Sequence, residues 1–332
     1  MKETKENLAD LLLVWFKVHG RELPWRHRGG AHPDPYAVFV SEFMLQQTTV
    51  KTVIPYFARF MAHFPTVNDL AQASLEEVYQ LWQGLGYYTR ARSLHASAQM
   101  IVKDFNGKFP STREDVLKLK GIGPYSVASI LALAFNQPET VIDGNVMRII
   151  ARLYHLTEPL EDIKEIVKAK AHELKSLKHP ADYASAIMDL GATVCTPKKP
   201  QCLICPWQRF CQSYGKDDVE LIPLRQKMLK KEQQGNVYLI YNKKGDVLIR
   251  KRTEKGLLSG LYEFPWGDMT FKEAIDSQKE ISHIFTHIKL ILRIYVIRSD
   301  TSPIDDGFFV SPKEFKNYAF STLMKKVWQN RP

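Results

Sequence analysis

"STREDVLKLKGIGPYSVASILALAF", residues 111–135, decides how the first two-thirds of this chain folds. Ser111 and Glu114 have the spacing of a capping box, which predicts a helix start there. Leu117 and Leu119 carry that helix to Lys120. Gly121-Ile122-Gly123 turns the chain, and Pro124 opens a second helix, where its missing N–H is no loss. Ile122 is expected to bury between the two helices. Glycines let backbone N–H groups approach a phosphate closely, and the next helix N-terminus adds its dipole. Gly121 and Gly123 are therefore candidate DNA contacts in a helix-hairpin-helix, a unit that grips the DNA backbone without reading bases. A G-x-G turn alone is weak evidence, and the strengthening signal lies further along the chain.

"CTPKKPQCLICPWQRFC", residues 195–211, contains all four cysteines of the 332-residue chain. Their spacing is C-x6-C-x2-C-x5-C, from Cys195, Cys202, Cys205 and Cys211. Cys202 and Cys205 can grip one metal centre from a single turn, and Pro197, Pro200 and Pro206 stiffen the loop. Four thiolates suit tetrahedral zinc or an iron–sulfur cluster. Zinc ribbons usually pair two C-x2-C hooks, and only one is present, so the spacing favours a [4Fe–4S] cluster with zinc as the alternative. Lys198, Lys199 and Arg209, in the loop, are candidate phosphate contacts.

Apolar positions recur every three to four residues through residues 1–222, which read as an all-helical domain. Residues 223–235, basic and Gln-rich, read as a linker. Residues 236–332 change period: "NVYLIYNKKGDVLIRKR" reads as two strands around a turn and "HIKLILRIYVIRS" as another, giving an α+β domain. With 45% hydrophobic and 25% charged residues, and no run approaching the roughly 18 apolar residues of a membrane span, the chain is expected to be a soluble protein with no membrane partner. Leu8, Leu11, Leu12 and Trp15 have helical spacing, and Lys17 breaks the apolar run, so the N-terminus reads as an amphipathic helix and not a signal peptide. A cytoplasmic location and a monomer are the expectations, and in that compartment cysteines bind metal more often than they form disulfides. The net charge of +10 favours a polyanionic partner. Residues 223–332 carry 20 Lys and Arg against 12 Asp and Glu, and residues 1–222 carry 26 against 24. The helical part would therefore bind nucleic acid through local patches and backbone groups.

Two carboxylates sit in opposite contexts. In "YAVFVSEFMLQQTTV", residues 36–50, a helix gives Glu42 the neighbours Val38, Phe39, Leu45 and Gln46, a mostly apolar face. Burial there would disfavour the charged form, which suits a general acid. In "TVIDGNVMRIIARLY", residues 140–154, Asp143 precedes an amphipathic helix at the N-cap position, where helix N–H groups favour the ionised form. Such a pair fits glycosidic cleavage, one group protonating the leaving group and the other facing an oxocarbenium-like centre. Taken singly, Asp143 reads first as a plain helix cap.

The hairpin, the Asp of "VIDGNV" and the cysteine spacing together resemble the endonuclease III superfamily of DNA glycosylases. "SEFMLQQTTV", "LWQGLGYYTRARSLH" and "GIGPYS" are similar to its adenine DNA glycosylase (MutY) branch. The resemblance covers nearly the whole chain. It implies an enzyme that excises adenine mispaired with 8-oxoguanine or guanine in duplex DNA, after extruding the nucleotide into a pocket. It implies that Glu42 protonates adenine N7 and later helps activate water, that Asp143 stabilises the oxocarbenium ion, and that Tyr125 and Asn145 support them. Gln47 and Tyr87 resemble the family's duplex-wedging residues; read singly they are a helix-end polar residue and a core aromatic. Where bifunctional relatives carry Lys, this chain has Tyr125, which cannot form a Schiff base, so a monofunctional enzyme is expected.

"KGLLSGLYEFP", residues 255–265, resembles the Nudix-like domain of these glycosylases. "FKEAIDSQKE" lacks the Glu-rich run with which a Nudix hydrolase binds Mg²⁺, so recognition and not hydrolysis is implied. Phe285-Thr286-His287 stands where the family has a Phe-Ser-His loop that probes 8-oxoguanine. The resulting expectation is a helical helix-hairpin-helix domain with a [4Fe–4S] loop, followed by a Nudix-like domain. Its rivals are a thymine or uracil mismatch glycosylase on the same scaffold, a non-catalytic iron–sulfur DNA-damage binder, and a Nudix phosphohydrolase.

Overall fold

The computed structural model describes residues 2–26, 33–224, 231–254, 256–267, 269–285 and 287–332. The chain forms two compact units, Met1–Gln72 with Ser93–Gln226, and Ala73–Arg92 with Lys227–Pro332. The helices in chain order are α1 (Lys2–His19), α2 (Pro35–Leu45), α3 (Val50–His63), α4 (Val67–Gln72), α5 (Leu75–Trp82), α6 (Tyr88–Phe105), α7 (Arg113–Lys118), α8 (Pro124–Phe135), α9 (Gly144–Leu153), α10 (Leu160–Leu174) and α11 (Pro180–Thr193).

In the first unit α2 and α8 are apolar almost all round, the mark of helices buried on every side. Asp34 caps α2 by accepting the Tyr36 N–H at 3.0 Å. The helix then buries Val38, Phe39, Val40, Phe43 and Met44, and Glu42 with them. Helix α8 buries every residue from Ser126 to Ala134, and its small Ala and Ser side chains let α2 and α11 pack closely against it. A second core joins Leu12 and Phe16 of α1, Val146, Ile149 and Ile150 of α9, Val167 of α10 and Leu190 of α11. Trp207 of the cysteine loop is inserted into this core, and its Nε1 donates to the Leu8 carbonyl at 2.8 Å.

The hairpin forms with its boundary one residue later than the capping box suggests. Thr112, not Ser111, is the N-cap of α7, and it accepts the Asp115 N–H at 3.2 Å. The helix stops at Lys118, with Leu119 as its C-cap. Thr112 wins because its hydroxyl also bonds the Asp115 carboxylate at 2.8 Å, so cap and partner satisfy each other. Ile122 is only half-buried.

Among the described residues the second unit holds a seven-stranded sheet. Its strands are β1 (Lys231–Tyr241), β2 (Val247–Lys251), β3 (Tyr262–Glu263), β4 (Trp266–Gly267), β5 (Ile275–Ile284), β6 (Ile288–Arg298) and β7 (Gly307–Val310). The main order is β3-β2-β1-β6-β5, with β4 on β1 and β7 on β2. β1 and β6 pair in parallel from Lys231↔Ile288 to Tyr241↔Arg298. As the two-residue period of a strand requires, Val237 and Leu239 point to one face of the sheet, where helix α12 (Thr322–Gln329) adds Leu323, Met324 and Val327. Tyr238 and Ile240 point to the other, with Leu248 and Ile297.

Residues 231–235, assigned to a linker from their composition, are the first part of β1. Their pairing with β6 is invisible to local composition; residues 225–230 of that linker lie outside the described residues. "FKEAIDSQKE" is a turn running into β5. Among the described residues no helix is long and apolar enough to cross a membrane.

Candidate active site and cluster loop

Glu42 is 5% exposed, in the middle of α2. Burial pushes its carboxyl up to about 7, against the Ser129 hydroxyl, which donates to Oε1 at 2.8 Å and favours the ionised form. The negative charge of Asp143 raises it further and the Arg26 guanidinium lowers it. Near neutral pH this carboxyl can therefore hold a proton and also release it, as an acid that later serves as a base requires.

Asp143 is the N-cap of α9. Its Oδ1 accepts the backbone N–H groups of Asn145 at 2.8 Å and Val146 at 2.7 Å, and its Oδ2 accepts Asn145 Nδ2 at 2.9 Å. Donors of this kind fix the direction of the carboxylate. Tyr125, in the first turn of α8, places its hydroxyl 3.8 Å from Met188 Sδ. Burial raises that phenol well above its ordinary value, helped by the charges of Glu42 and Asp143. It remains a neutral hydroxyl beside both carboxylates. Glu42, Asp143 and Tyr125 thus share one electrostatic environment although they are far apart in sequence.

Asn145 also accepts Arg148 Nη2 at 3.0 Å. Arg148 in turn donates to the carbonyls of Gly191 at 2.7 Å and Cys195 at 2.9 Å. One helical turn on, the buried Arg152 donates to the carbonyls of Thr196 at 2.6 Å, Pro197 at 2.9 Å and Ile222 at 3.0 Å. The two arginines of α9 therefore wire the start of the cysteine loop to the helix that Asp143 caps. Cys195, Cys202, Cys205 and Cys211 line a common pocket with Arg152, Val194 and Tyr214. Among the described residues no three His, Cys, Asp or Glu side chains converge as a single ion demands. Four thiols around one pocket are the donor set that an iron–sulfur cluster takes.

Lys198 and Lys199 are exposed on the loop. Lys199 has φ 48° and its N–H bonds Glu220 at 2.9 Å. Gly121 has φ +73°, and a Cβ there would meet the Ser93 Cβ at 2.5 Å, so glycine is required. Gly123 is the extended N-cap of α8, with no side-chain cap. Gln47 and Tyr87 are both exposed and both left-handed, at φ 57° and 48°. The exposure of Tyr87 removes its reading as a core aromatic. In the second unit Phe285 and His287 flank the turn between β5 and β6; Thr286 lies outside the described residues. Phe285 packs edge-on to His283 at 4.6 Å. Phe285 and His287 line a cavity of about 500 Å³ with Tyr87, Tyr88, Leu258 and Ser259, all of the same unit.

Sequence reading missed Ser129, Arg26, Arg148 and Asp189. Asp189 is wholly buried on α11 and accepts three hydrogen bonds from Arg21 and one from Arg26. A lone Asp in an apolar helix face, "SAIMDLGA", was the available signal.

The model of the HhH-GPD superfamily base excision DNA repair proteins matches residues 40–177, that of the iron–sulfur binding domain of endonuclease III residues 195–211, and that of the NUDIX domain residues 236–330. Adenine DNA glycosylase of Mus musculus is 34% identical over 96% of this chain and 76% of its own length. That of Homo sapiens is 32% identical over 96% and 72%. That of Buchnera aphidicola subsp. Baizongia pistaciae is 34% identical over 96% and 90%. Among solved structures, a thermostable thymine-DNA glycosylase is similar at TM-score 0.56 and 26% identity, covering 64% of this chain and 97% of that one. An endonuclease III in a DNA complex shares the fold at TM-score 0.53 and 22% identity, covering 64% and 96%. With its buried carboxyl, its capped carboxylate and a [4Fe–4S] loop at residues 195–211, this chain belongs to the adenine DNA glycosylase family of base excision DNA repair enzymes.

Proposed function

We propose that this adenine DNA glycosylase is monofunctional and acts on adenine opposite 8-oxoguanine or guanine in duplex DNA. The observation that carries the chemistry is the contrast in surroundings of two carboxyl groups, one buried and one capped by N–H donors. Glu42 is held near 7 by burial, and Asp143 is held by three N–H donors. With adenine extruded into the site, Glu42 gives its proton to N7 and the C1′–N9 bond breaks with its electron pair on the base. Asp143 faces the positive charge left on the sugar, and Asn145 fixes its direction. Water then adds to C1′ and gives its proton to Glu42, which restores the acid. Tyr125, a neutral phenol, stands where a lyase would need an amine, so the sugar is not captured as a Schiff base.

Gln47 and Tyr87 enter the duplex around the lesion, a role that their exposure and left-handed backbone support. Gly121, Gly123, Lys198 and Lys199 hold phosphates. The second unit reads the opposing base with Phe285, Thr286 and His287; the cavity beside Phe285 and His287 supports this. When bound, the cluster stiffens the loop that carries the two lysines.

The test is a single-turnover reaction on labelled duplexes with adenine opposite 8-oxoguanine, guanine or thymine, each divided with and without hot alkali. Strand breakage only after alkali, fastest opposite 8-oxoguanine, is expected. Breakage without alkali would overturn the monofunctional reading. Equal rates opposite all three bases would overturn the opposing-base reading, and release of thymine or uracil opposite guanine would favour the rival substrate class.

A further inference from the structure

We infer that Ser129 is a positioning residue for the acid step: its hydroxyl, hydrogen-bonded to Glu42, holds the carboxyl in place and stabilises the carboxylate left once the proton has passed to the base. The inference rests on the reading of Glu42 as the acid. Ser129 lies on α8 with 0% exposure, and Glu42 lies on α2 with 5%. The hydroxyl donates to Oε1 at 2.8 Å, across 87 residues of sequence. The bond is informative because a serine inside a helix has a local alternative, a carbonyl of its own preceding turn. Ser41, next to Glu42 on α2, takes that alternative and donates to the Val38 carbonyl at 2.7 Å. Ser129 gives its hydroxyl to the neighbouring helix instead. It stands among the buried Ala128 and Ala132. Alanine would suit that apolar helix and is the better helix former, so neither packing nor propensity calls for an oxygen at residue 129.

Chemistry does call for one. When Glu42 gives its proton to adenine N7, a negative charge remains on a carboxyl that water scarcely reaches, and a buried charge needs a donor. A hydrogen bond that is stronger to the carboxylate than to the acid eases the transfer. It also makes the carboxylate slower to take a proton back from water, so Ser129 sets the balance between the two halves of the cycle. The other groups that bear on Glu42 are Tyr125 from α8, Asp143 at the head of α9 and Arg26 after α1. Burial opposes ionisation most, and Asp143 adds to it; Ser129 favours ionisation, and Arg26 does so less. The hydroxyl of Tyr125 lies at Met188 Sδ.

Ser129→Ala removes the donor and little else. The experiment uses the full-length enzyme with its cluster and measures single-turnover release of adenine opposite 8-oxoguanine across pH. In the wild type the rate should fall as pH rises through about 7. Without the donor Glu42 ionises less readily, so in Ser129→Ala the fall should move about one pH unit higher. The weaker acid should also slow the reaction below the fall, by roughly 3–10-fold. The two profiles should therefore differ at acidic pH and converge at alkaline pH. Ser126→Ala removes another buried hydroxyl from the same helix and should leave the fall where it is.

Slowing of Ser129→Ala by one factor at every pH, with the fall unmoved, would overturn the inference and leave Ser129 as a packing residue. A fall moved equally by Ser126→Ala would overturn it too. If Ser129→Ala does not fold, Ser129→Cys decides, because its thiol is a weaker donor of similar size: a fall moved part of the way upward supports the role, and an unmoved one removes it. A wild type with no fall near 7, or adenine release undiminished in Glu42→Gln, would instead sink the assignment of Glu42 as the acid. That result is distinct from a fall present in the wild type but unmoved in the Ser129 variants.

Discussion

Arg148 donates from Nε to the backbone carbonyl of Cys195 at 2.9 Å. The same side chain bonds Asn145, which bonds Asp143, so the first cluster ligand and the carboxylate proposed to face the sugar end one hydrogen-bonded chain. Substituting Arg148 by Gln should loosen the Asn145 side chain, and with it the bond to Asp143 Oδ2, while Asp143 Oδ1 keeps its two backbone donors. Loss of an orienting partner of this kind typically costs roughly 10–100-fold. Single-turnover adenine release should fall by that factor, and the visible absorption of the cluster should fade faster under a chelator. An unchanged rate would show that Asn145 needs no support from Arg148.

Glu42→Gln should reduce adenine release by roughly 10²–10⁴-fold, the usual worth of a positioned acid or base, while duplex binding persists. It should also change stability in a pH-dependent way. The folded carboxyl titrates near 7, against 4.5 for the ordinary group. Between those values the native state holds a proton that the unfolded chain has lost, so the wild type loses stability as pH rises through this window. Gln has nothing to ionise. Urea melts should therefore find the variant more stable than wild type at pH 8, by about 1–3 kcal/mol, with the gap closing near pH 5. A variant no more stable at pH 8 would show that burial does not strain this carboxyl.

The two hairpin glycines should separate under substitution. Gly121→Ala puts a Cβ at 2.5 Å from Ser93 Cβ on a backbone with φ +73°, and about 1–3 kcal/mol of stability should be lost. Gly123→Ala meets nothing within 4 Å, so the fold should tolerate it. Weaker duplex binding by Gly123→Ala at unchanged melting temperature would locate a phosphate beside that residue. Unchanged binding would remove Gly123 from the interface.

Gln47→Gly should uncouple stability from activity. The left-handed φ of 57° is adopted by glycine without strain, and relief of this kind is worth up to about 1 kcal/mol. Denaturation should show stability held or raised while single-turnover release slows, if Gln47 enters the duplex as proposed. A less stable variant would mean that the Gln47 side chain supports the fold itself.

What could be read from the sequence was local. The cysteine hooks, the G-x-G turn, the N-cap Asp143 and the apolar flanks of Glu42 each lie within a few residues of the feature that betrays them. What could not be read was long-range. Ser129 meets Glu42 across 87 residues and Arg26 meets Asp189 across 163. No periodicity encodes such pairs, and a buried Asp in an apolar helix face signals a partner without naming it. Composition misled at residues 231–235, because the partner that makes them a strand, β6, begins at Ile288.

The second unit is assembled from two separate stretches of chain. Gln80 Nε2 donates to the Asn317 carbonyl, the Tyr88 hydroxyl to that of Phe320 and Arg92 Nη2 to that of Ser259. The match to a NUDIX domain begins at residue 236 and so omits Ala73–Arg92. This unit is therefore not a cassette that can be cut at one point and moved. A chimaera that transplants residues 236–330 alone would leave those carbonyls without their donors. Swapping opposing-base preference between glycosylases should succeed only when both stretches travel together.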